Sequence, residues 1–211
     1  MVIGLGRFGT ALALTLEELG HEVLGVDAVE STAQSFAGRL SHVVSANATS
    51  ADVLASLGAK DLEHAVVAIG DDIESSVLCT AALADLGVPD IWAKANSQEH
   101  ARILERVGAV HVVFPEGDMG RRLAHQVSGQ MIDFIEIDED FALVETQPPA
   151  KLVGMTLQQA NIRQKFGVTV VSIKPRDGQF TYATPDTVLS EGAVLLVAGE
   201  SKAVGRFAMQ R

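Results

Sequence analysis

Residues 2–9, Val-Ile-Gly-Leu-Gly-Arg-Phe-Gly, place three glycines between a short apolar run and a helical pattern. In a strand–loop–helix unit, the first glycine permits a tight turn, the second lets the backbone approach a phosphate, and the third allows the helix to pack closely on the strand. These positions are Gly4, Gly6 and Gly9. The helix that begins near Phe8 would direct its free N–H groups and positive dipole end toward an anion. The spacing therefore predicts a phosphate-binding loop.

Two residues around this loop indicate which phosphate compound it binds. Asp27 closes the next apolar segment, where its carboxylate can accept hydrogen bonds from the ribose hydroxyls and would repel a 2′-phosphate. This favours an adenine nucleotide such as ATP, ADP or NAD over NADP and over an empty structural loop. Arg7, within the loop, either pairs with terminal phosphates or is a solvated arginine.

Short apolar runs alternate with helical patterns up to residue 114, which predicts a parallel sheet because parallel neighbours need crossover helices. The predicted strands are residues 2–3, 22–26, 42–45, 65–69, 90–93 and 111–114, and the predicted helices lie near 8–19, 28–38, 50–58, 72–86 and 97–107. We expect a doubly wound, Rossmann-like α/β domain with strand order 3-2-1-4-5-6. Its ligand should lie over the carboxyl ends of strands one and four.

Further candidate ligand-binding residues follow the carboxyl ends of the other predicted strands, where adenine and ribose edges would lie. They are Asn47, Ala48 and Thr49 after the third strand, Ile69 and Gly70 after the fourth, and Lys94, with Asn96 beside it, after the fifth. Asp71 and Asp72 are more simply interpreted as helix N-caps.

The second half of the chain has a different pattern. Residues 115–131 predict a helix whose apolar residues recur every four positions, at Met119, Leu123, Val127 and Met131. This helix either packs on its own domain or crosses over to a partner subunit. We therefore predict an N-lobe of residues 1–131, including a crossover helix over 116–130, and a C-lobe of residues 132–211.

The C-lobe has the pattern of a small α+β module. Two strands flank a turn at 138–140, and a helix covers 154–167 with a capping box at Thr156 and Gln159. Residues 177–178, Asp-Gly, predict the turn of a hairpin, and further strand and a short helix complete the chain.

Composition and charge exclude several classes of function. The net charge of −11 argues against a nucleic-acid-binding surface. No apolar run approaches the roughly 18 residues of a membrane helix, and no signal peptide stands at the front. The single cysteine, Cys79, allows no intrachain disulfide, which indicates that the protein resides in a reducing cytoplasm. Cys79 lies in an apolar helical stretch, so we predict that it is a small core residue. The six histidines show no metal-ligand spacing, and no catalytic set is present.

Several motifs resemble a known protein family. They are "VIGLGRFG" (2–9), "HEVLGVD" (21–27), "ANAT" (46–49), "VVAIG" (66–70), "IWAKA" (91–95), "GAVHVVFPEGDMG" (108–120) and "LVGMTL" (152–157). Together they resemble the cytoplasmic regulatory subunits of Ktr/Trk-type bacterial potassium uptake systems, built from RCK domains (regulators of K+ conductance), and most of all the Ktr regulatory subunit. The resemblance covers essentially the whole chain. Its "FPEGDMG" and Gly-x-Thr-Leu segments are much more specific than the glycine loop.

The resemblance implies ligands for particular residues. In this family the N-lobe binds ATP or ADP and, in some members, NAD or NADH. By position, Arg7 would contact the terminal phosphate, of its own nucleotide or a neighbour's, and Asp27 the ribose. Glu116 matches the acid that places a divalent or monovalent cation between nucleotides at a dimer interface, although acids are also favoured at a helix N-terminus. The C-lobe segment that matches a cyclic di-AMP site contains Asn161, Ile162 and Arg163.

The function implied is that of a gating subunit and not of an enzyme. Family members form dimers stacked into an octameric ring, in the cytoplasm against the inner face of the membrane, where a membrane-embedded K+ channel subunit is their partner. ATP and ADP would present different charges to Arg7 and Glu116 and so favour different ring shapes. The alternatives are an NAD-dependent oxidoreductase, for which the C-lobe offers no convincing acid or base, and a redox-sensing transcription factor, against which the acidic charge counts.

Overall fold

The computed structural model describes residues 1–127, 131–138 and 140–210. It divides the chain into two compact units, Met1–Glu116 and Gly117–Arg211. Each unit has its own buried apolar core.

The first unit contains the expected doubly wound parallel sheet. Its strands are β1 (Val2–Ile3), β2 (Leu24–Asp27), β3 (His42–Ser45), β4 (His64–Val67), β5 (Asp90–Lys94) and β6 (His111–Val113). The strands follow the order β3-β2-β1-β4-β5-β6 and every pair is parallel, which confirms the predicted topology. This order brings the carboxyl ends of β1 and β4 together at the point where the connections reverse direction.

The helices of this unit connect successive strands. They are α1 (Arg7–Glu18), α2 (Glu30–Ser35), α3 (Ala51–Ser56), α4 (Ile73–Asp85) and α5 (Gln98–Arg106), with a 3₁₀ turn at Ala59–Asp61. Side chains of Ser50, Asp72 and Ser97 accept hydrogen bonds from the first turns of α3, α4 and α5. The interpretation of Asp72 as an N-cap is thereby confirmed.

Cys79 confirms its predicted place in the core. The side chain lies on α4, fully buried among residues such as Leu54, Val67 and Leu83. Loss of contact with water raises the pKa of its thiol to about 12, with a smaller contribution from the charge of Asp72. The thiolate therefore does not form at neutral pH.

Helix α6 (Pro115–Val127) follows β6, and residues 128–130 of the predicted crossover helix lie outside the described residues. Met119, Leu123 and Val127 are 49%, 48% and 85% exposed. The prediction that Met131 continues this apolar stripe is wrong. Its side chain is 6% exposed and belongs to the core of the second unit, because the C-lobe sheet and its last helix surround it.

The second unit is the expected small α+β module. Its strands are β7 (Asp133–Asp138), β8 (Phe141–Thr146), β9 (Val168–Lys174), β10 (Thr181–Tyr182) and β11 (Val194–Glu200), and its other elements are a 3₁₀ turn (Ala150–Leu152), α7 (Leu157–Ala160), α8 (Ile162–Phe166) and α9 (Ser201–Ala208). The sheet order is β10-β9-β11-β8-β7, with all pairs antiparallel. The predicted hairpin joins β9 and β10, and residue 139 of the predicted turn between β7 and β8 lies outside the described residues.

The prediction of one continuous helix over 154–167 is wrong. The capping box of Thr156 and Gln159 forms and starts α7, but the chain turns at Asn161, whose φ of 49° is left-handed. Asparagine tolerates this conformation better than most residues do, and α8 begins directly after it. Helical periodicity does not register a single left-handed residue, so the pattern gave no sign of the break.

Candidate nucleotide-binding site

Two of the three glycines of the loop, Gly4 and Gly9, lie where a side chain would not fit. Gly4 adopts a φ of 91° and donates its N–H to the Val26 carbonyl oxygen at 2.8 Å. A Cβ on Gly9 would lie 1.9 Å from the Gly4 oxygen, whereas one on Gly6 would meet nothing within 4 Å. Gly9 therefore closes the loop against the strand, and Gly6 leaves an open face at the start of α1.

This open face suits an anion. Gly6 precedes the first residue of α1, and the first turn of that helix contains no acidic residue. Arg7, its first residue, is exposed. The free N–H groups of the helix and the guanidinium thus lie at the same edge of the sheet, where their partial and full positive charges favour phosphate.

Asp27 connects the end of β2 to the glycine loop. Its Oδ2 accepts from the N–H of Leu5 at 2.8 Å, and its Oδ1 accepts from the N–H of Val29 at 2.9 Å. Each carboxylate oxygen has a second lone pair, so both can still accept a hydroxyl proton. The carboxylate is therefore held in one orientation and retains the capacity to bind a ribose.

A cavity of about 190 Å³ adjoins the carboxyl ends of β1, β2 and β4. Of the residues predicted to bind ligand, it brings together Gly4, Asp27, Asn47, Ala48, Thr49 and Ile69. Asn47 is fixed there, because its Oδ1 accepts from both the N–H and the hydroxyl of Thr49. Ligand pockets commonly measure about 300–1,000 Å³, so a nucleotide in this cavity would extend beyond it, over the open face at Gly6.

Lys94 lies at the far side of the loop. A Cβ on Gly4 would be 3.0 Å from Ile69, and a Cβ on the adjoining Gly70 would be 2.7 Å from Lys94 Nζ. Asn96 holds this corner by donating from Nδ2 to the Gly70 carbonyl oxygen. Gly4 therefore packs against Ile69, and the next residue, Gly70, packs against the Lys94 ammonium.

Glu116, at the start of α6, is the ion-pair partner of Lys94. Its Oε1 is 2.7 Å from Nζ, and the side chains are 63% and 11% exposed respectively. The hydrogen bond from Lys94 holds the pKa of the Glu116 carboxyl below its ordinary value, and the charges of Lys94 and Arg7 contribute less. Arg7, Lys94 and Glu116 thus form one charged group beside the glycine loop.

The remaining predicted site residues lie elsewhere. The Phe8 side chain lines a second cavity of about 690 Å³, together with other apolar residues of α1 and with Trp92. This cavity is larger, but its lining is mainly apolar and it does not include the glycines of the loop. In the second unit, Ile162 is 4% exposed, Arg163 is exposed, and Asn161 donates from Nδ2 to Gln164 at 2.8 Å.

Sequence reasoning missed several residues that line the cavity of about 190 Å³ beside the glycine loop, two of them on α4. Ser75 and Cys79 reach it from successive turns of α4. Helical spacing places them on one face of that helix, but only the packing of α4 on the sheet turns that face toward the glycine loop.

A metal ion would find few protein ligands here. Within residues 1–127, 131–138 and 140–210, no group of three or more His, Cys, Asp or Glu side chains is arranged to hold a metal. Glu116 offers one exposed carboxylate. A cation at this position therefore fits only if phosphate oxygens or a second copy of the chain supply further ligands. In the same described part of the chain, every helix is too short or too polar to cross a bilayer.

The fold defines the class of protein: a doubly wound α/β lobe with a glycine loop, followed by a small α+β lobe, the arrangement of RCK domains. Residues 1–115 match the TrkA-N domain and residues 141–210 match the TrkA-C domain. The chain belongs to the family of Ktr/Trk-type regulatory subunits of potassium uptake systems. The resemblance stated from the sequence motifs is confirmed.

Individual relatives extend over nearly the entire chain. Ktr system potassium uptake protein C of Bacillus subtilis is 38% identical over 98% of this chain and 94% of its own length. Protein A of the same organism is 36% identical over 98% of this chain and 93% of its own. The solved GsuK channel superposes with a TM-score of 0.69 at 19% identity, covering 99% of this chain and 38% of the channel chain. A structure described as the GsuK channel bound to NAD gives 0.53 at 26% identity, covering 99% and 37%.

Proposed function

We propose that this chain is the cytoplasmic, nucleotide-responsive gating subunit of a bacterial potassium uptake system, and that its N-lobe distinguishes ATP from ADP without transforming either. The observation that carries the proposal is the charged group of Arg7, Lys94 and Glu116 beside the open glycine loop. In this proposal, the terminal phosphates of a nucleotide held by the loop contact these residues. A γ-phosphate adds charge at this point, and charge-assisted hydrogen bonds to it are the strong ones.

We propose the following binding roles. Gly4, Gly6 and Gly9 form the phosphate loop, Asp27 accepts from the ribose, and the cavity at residues 47–49 and 69–70 receives the rest of the nucleoside. Glu116 would hold a cation jointly with phosphate oxygens, and the cation would neutralise part of the phosphate charge. We further propose that the chain forms dimers, that these assemble into an octameric ring, and that the ring acts on a membrane-embedded K+ channel subunit.

We propose that the crossover helix acts with the N-lobe, with the lobe boundary at residues 131 and 132, although the compact units divide after Glu116 and the Met131 side chain packs in the core of the second unit. The half-exposed apolar stripe of Met119 and Leu123 supports contact between α6 and a second subunit. NAD and NADH form the alternative ligand pair, supported by the NAD complex of the 26% identical channel. An NAD-dependent oxidoreductase is the alternative function, and the relatives, named as potassium uptake proteins, favour the gating subunit over it.

Reversing the charge of Arg7 tests the proposal. Arg7→Glu should weaken ATP binding at least about tenfold, because a charge-assisted hydrogen bond worth roughly 1.5–3 kcal/mol is lost. ADP binding should weaken less, since its phosphates end before this position. Isothermal titration calorimetry of both nucleotides measures the two effects.

Arg106→Glu is the matched control for this substitution. Arg106 is exposed in the last turn of α5, at the opposite edge of the sheet, and its replacement changes the net charge by the same amount. ATP and ADP affinities should remain within about twofold, as usual for surface substitutions. Equal, unaltered binding of both nucleotides by Arg7→Glu would refute the role of Arg7.

For the C-lobe we propose cyclic di-AMP binding at Asn161, Ile162 and Arg163. Because Ile162 is buried, the exposed guanidinium of Arg163 supplies the phosphate contact. Arg163→Glu should weaken cyclic di-AMP binding at least about tenfold by calorimetry. Lys165→Glu changes the same charge on the same helix and should have a much smaller effect.

Because Asn161 has a left-handed backbone, the effect of its backbone conformation can be tested separately from the effect of its side-chain amide. Asn161→Gly keeps a conformation that glycine adopts freely, whereas Asn161→Ala strains it by about 1–2 kcal/mol. Ligand binding should therefore weaken in Asn161→Gly without a fall in melting temperature. Equal losses in Arg163→Glu and Lys165→Glu would show a general charge effect and contradict the assignment.

A further inference from the structure

His100 is a buried histidine to which the proposed site gives no role. Its side chain is 1% exposed and lies in the first turn of α5, after the N-cap Ser97. The Nδ1 atom accepts a hydrogen bond from the backbone N–H of Asn96 at 3.4 Å. Burial lowers the pKa of the imidazole, so the ring is neutral at neutral pH. Since Nδ1 accepts, the neutral ring carries its proton on Nε2.

The Nε2–H group of this ring is buried without a partner. Among residues 1–127, 131–138 and 140–210, no group offers it a hydrogen bond. A buried donor without a partner is costly, and a leucine, which is of similar size, would avoid that cost. The imidazole supplies one thing that leucine cannot, the acceptor at Nδ1. The contact with Asn96 therefore distinguishes His100 from an ordinary core residue.

Asn96 connects this histidine to the edge of the glycine loop. Its side-chain Nδ2 donates to the carbonyl oxygen of Gly70, and its Oδ1 would lie 2.9 Å from a Cβ on Gly70. The residue before Gly70 is Ile69, which lines the cavity beside the loop. A Cβ on Gly4 would lie 3.0 Å from the Cγ1 atom of Ile69. Two hydrogen bonds therefore join α5 to the turn that packs against the glycine loop.

We propose that His100 is a positioning residue for the nucleotide site: its Nδ1 fixes Asn96, and the Asn96 amide fixes the turn at Gly70 against the glycine loop. His100 is buried and outside the lining of the cavity, so it acts through Asn96 and not by touching the nucleotide. This inference rests on the proposed function, because it assigns a supporting residue to the same site. ATP and ADP share the loop and the cavity, so His100 affects both equally, whereas Arg7 distinguishes them.

Two substitutions separate this role from packing. His100→Asn keeps an acceptor oxygen near the position of Nδ1, but its side chain is smaller and leaves space in the core. His100→Leu fills the space, removes the unpartnered donor and offers no acceptor. Leucine should therefore give the higher melting temperature and the weaker binding. By calorimetry, ATP and ADP affinities should each fall about three- to tenfold in His100→Leu, the loss of one hydrogen bond, and stay within about twofold in His100→Asn.

The opposite order of binding would overturn the proposal. If His100 only filled space, affinity would follow the melting temperature, and His100→Asn would bind more weakly than His100→Leu. Ser76→Ala is the control, because the Ser76 Oγ is also buried and has no partner in the described part of the chain. ATP affinity should not change in this variant. Equal weakening by Ser76→Ala and His100→Leu would show a general packing effect and would also overturn the proposal.

A double-mutant cycle tests the route through Asn96. In an Asn96→Ala background, the backbone N–H remains but the amide that holds Gly70 is gone. His100→Leu should then weaken ATP binding by less than about twofold. An undiminished loss in this background would show that the effect of His100 bypasses the Asn96 amide and would contradict the proposed role.

A measurement without nucleotide distinguishes failure of this role from failure of the proposed function. Hydrogen exchange of the Asn96 backbone amide, followed by NMR, should be severalfold faster in His100→Leu than in the unaltered protein and in His100→Asn. An unchanged rate in His100→Leu would show that His100 does not hold Asn96 and would overturn the positioning role alone. Absence of ATP and ADP binding by the unaltered protein would overturn the proposed function, and the positioning role with it.

Discussion

Gly9→Ala should destabilise the first unit by about 3 kcal/mol, the upper range for forcing an added methyl into a packed site. The Cβ would lie 1.9 Å from the Gly4 oxygen, a separation at which the backbone of the loop or of α1 must move. Since the displaced atoms belong to the phosphate loop, ATP binding should be lost as well. Urea denaturation and ATP calorimetry on the same preparation measure both effects.

Gly6→Ala is the matched substitution in the same loop. The residue has a φ of −71°, which any L-residue adopts, and its Cβ would meet nothing within 4 Å. The free energy of unfolding should therefore remain unchanged or rise by about 0.4–1 kcal/mol. ATP affinity should nevertheless fall at least about tenfold, because the methyl occupies the open face where the phosphates approach.

The pair of glycine variants separates folding from binding. Gly9→Ala alters both, and Gly6→Ala alters binding alone. A Gly6→Ala protein that bound ATP and ADP with unaltered affinity would show that the nucleotide does not use this loop. A Gly9→Ala protein of ordinary stability would contradict the closed geometry described here.

Phe207→Ala should destabilise the second unit by about 3–5 kcal/mol, the usual cost of removing a buried phenylalanine. The side chain is 1% exposed, packs edge-on against Phe166 with ring centroids 5.2 Å apart, and lies at the centre of the C-lobe core. A whole domain is stable by only about 5–15 kcal/mol, so this loss removes much of the stability of the lobe.

The first unit should be affected much less by this change, because it has separate cores. Hydrogen exchange followed by mass spectrometry should show lost protection in β8, β9 and β11 with retained protection in β1, β4 and β5. Met209→Ala, at a side chain 56% exposed two residues further on, should change stability by no more than about 0.5 kcal/mol. Equal loss of protection in both units would contradict independent cores.

Local sequence patterns were sufficient to predict the topology of the sheet in the first unit. Each apolar run is separated from the next by a helical segment, and crossover helices are the connections that strands of a parallel sheet need. The glycine loop between β1 and α1 and the position of Asp27 at the end of β2 followed from the same unit, because their spacing reflects one strand, one turn and one helix. The capping box at Thr156 was likewise local, since its two side chains are three residues apart.

The errors and omissions concern contacts that local patterns do not encode. Met131 continued a helical repeat in the sequence but packs in the C-lobe core. The helix break at Asn161 depends on one backbone angle, which periodicity does not report. Cys79 was predicted as a core residue, and only the structure shows that it also lines the cavity beside the glycine loop.

By itself, the sequence determined the parallel order of the first sheet, the loop of Gly4, Gly6 and Gly9, and the family. Only the tertiary structure decided that Lys94 and Glu116 pair and that Arg7 acts on the same carboxylate. The physical reason is distance along the chain: hydrogen-bonded turns and helices form between near neighbours, whereas an ion pair across separate elements exists only after the sheet has set their positions.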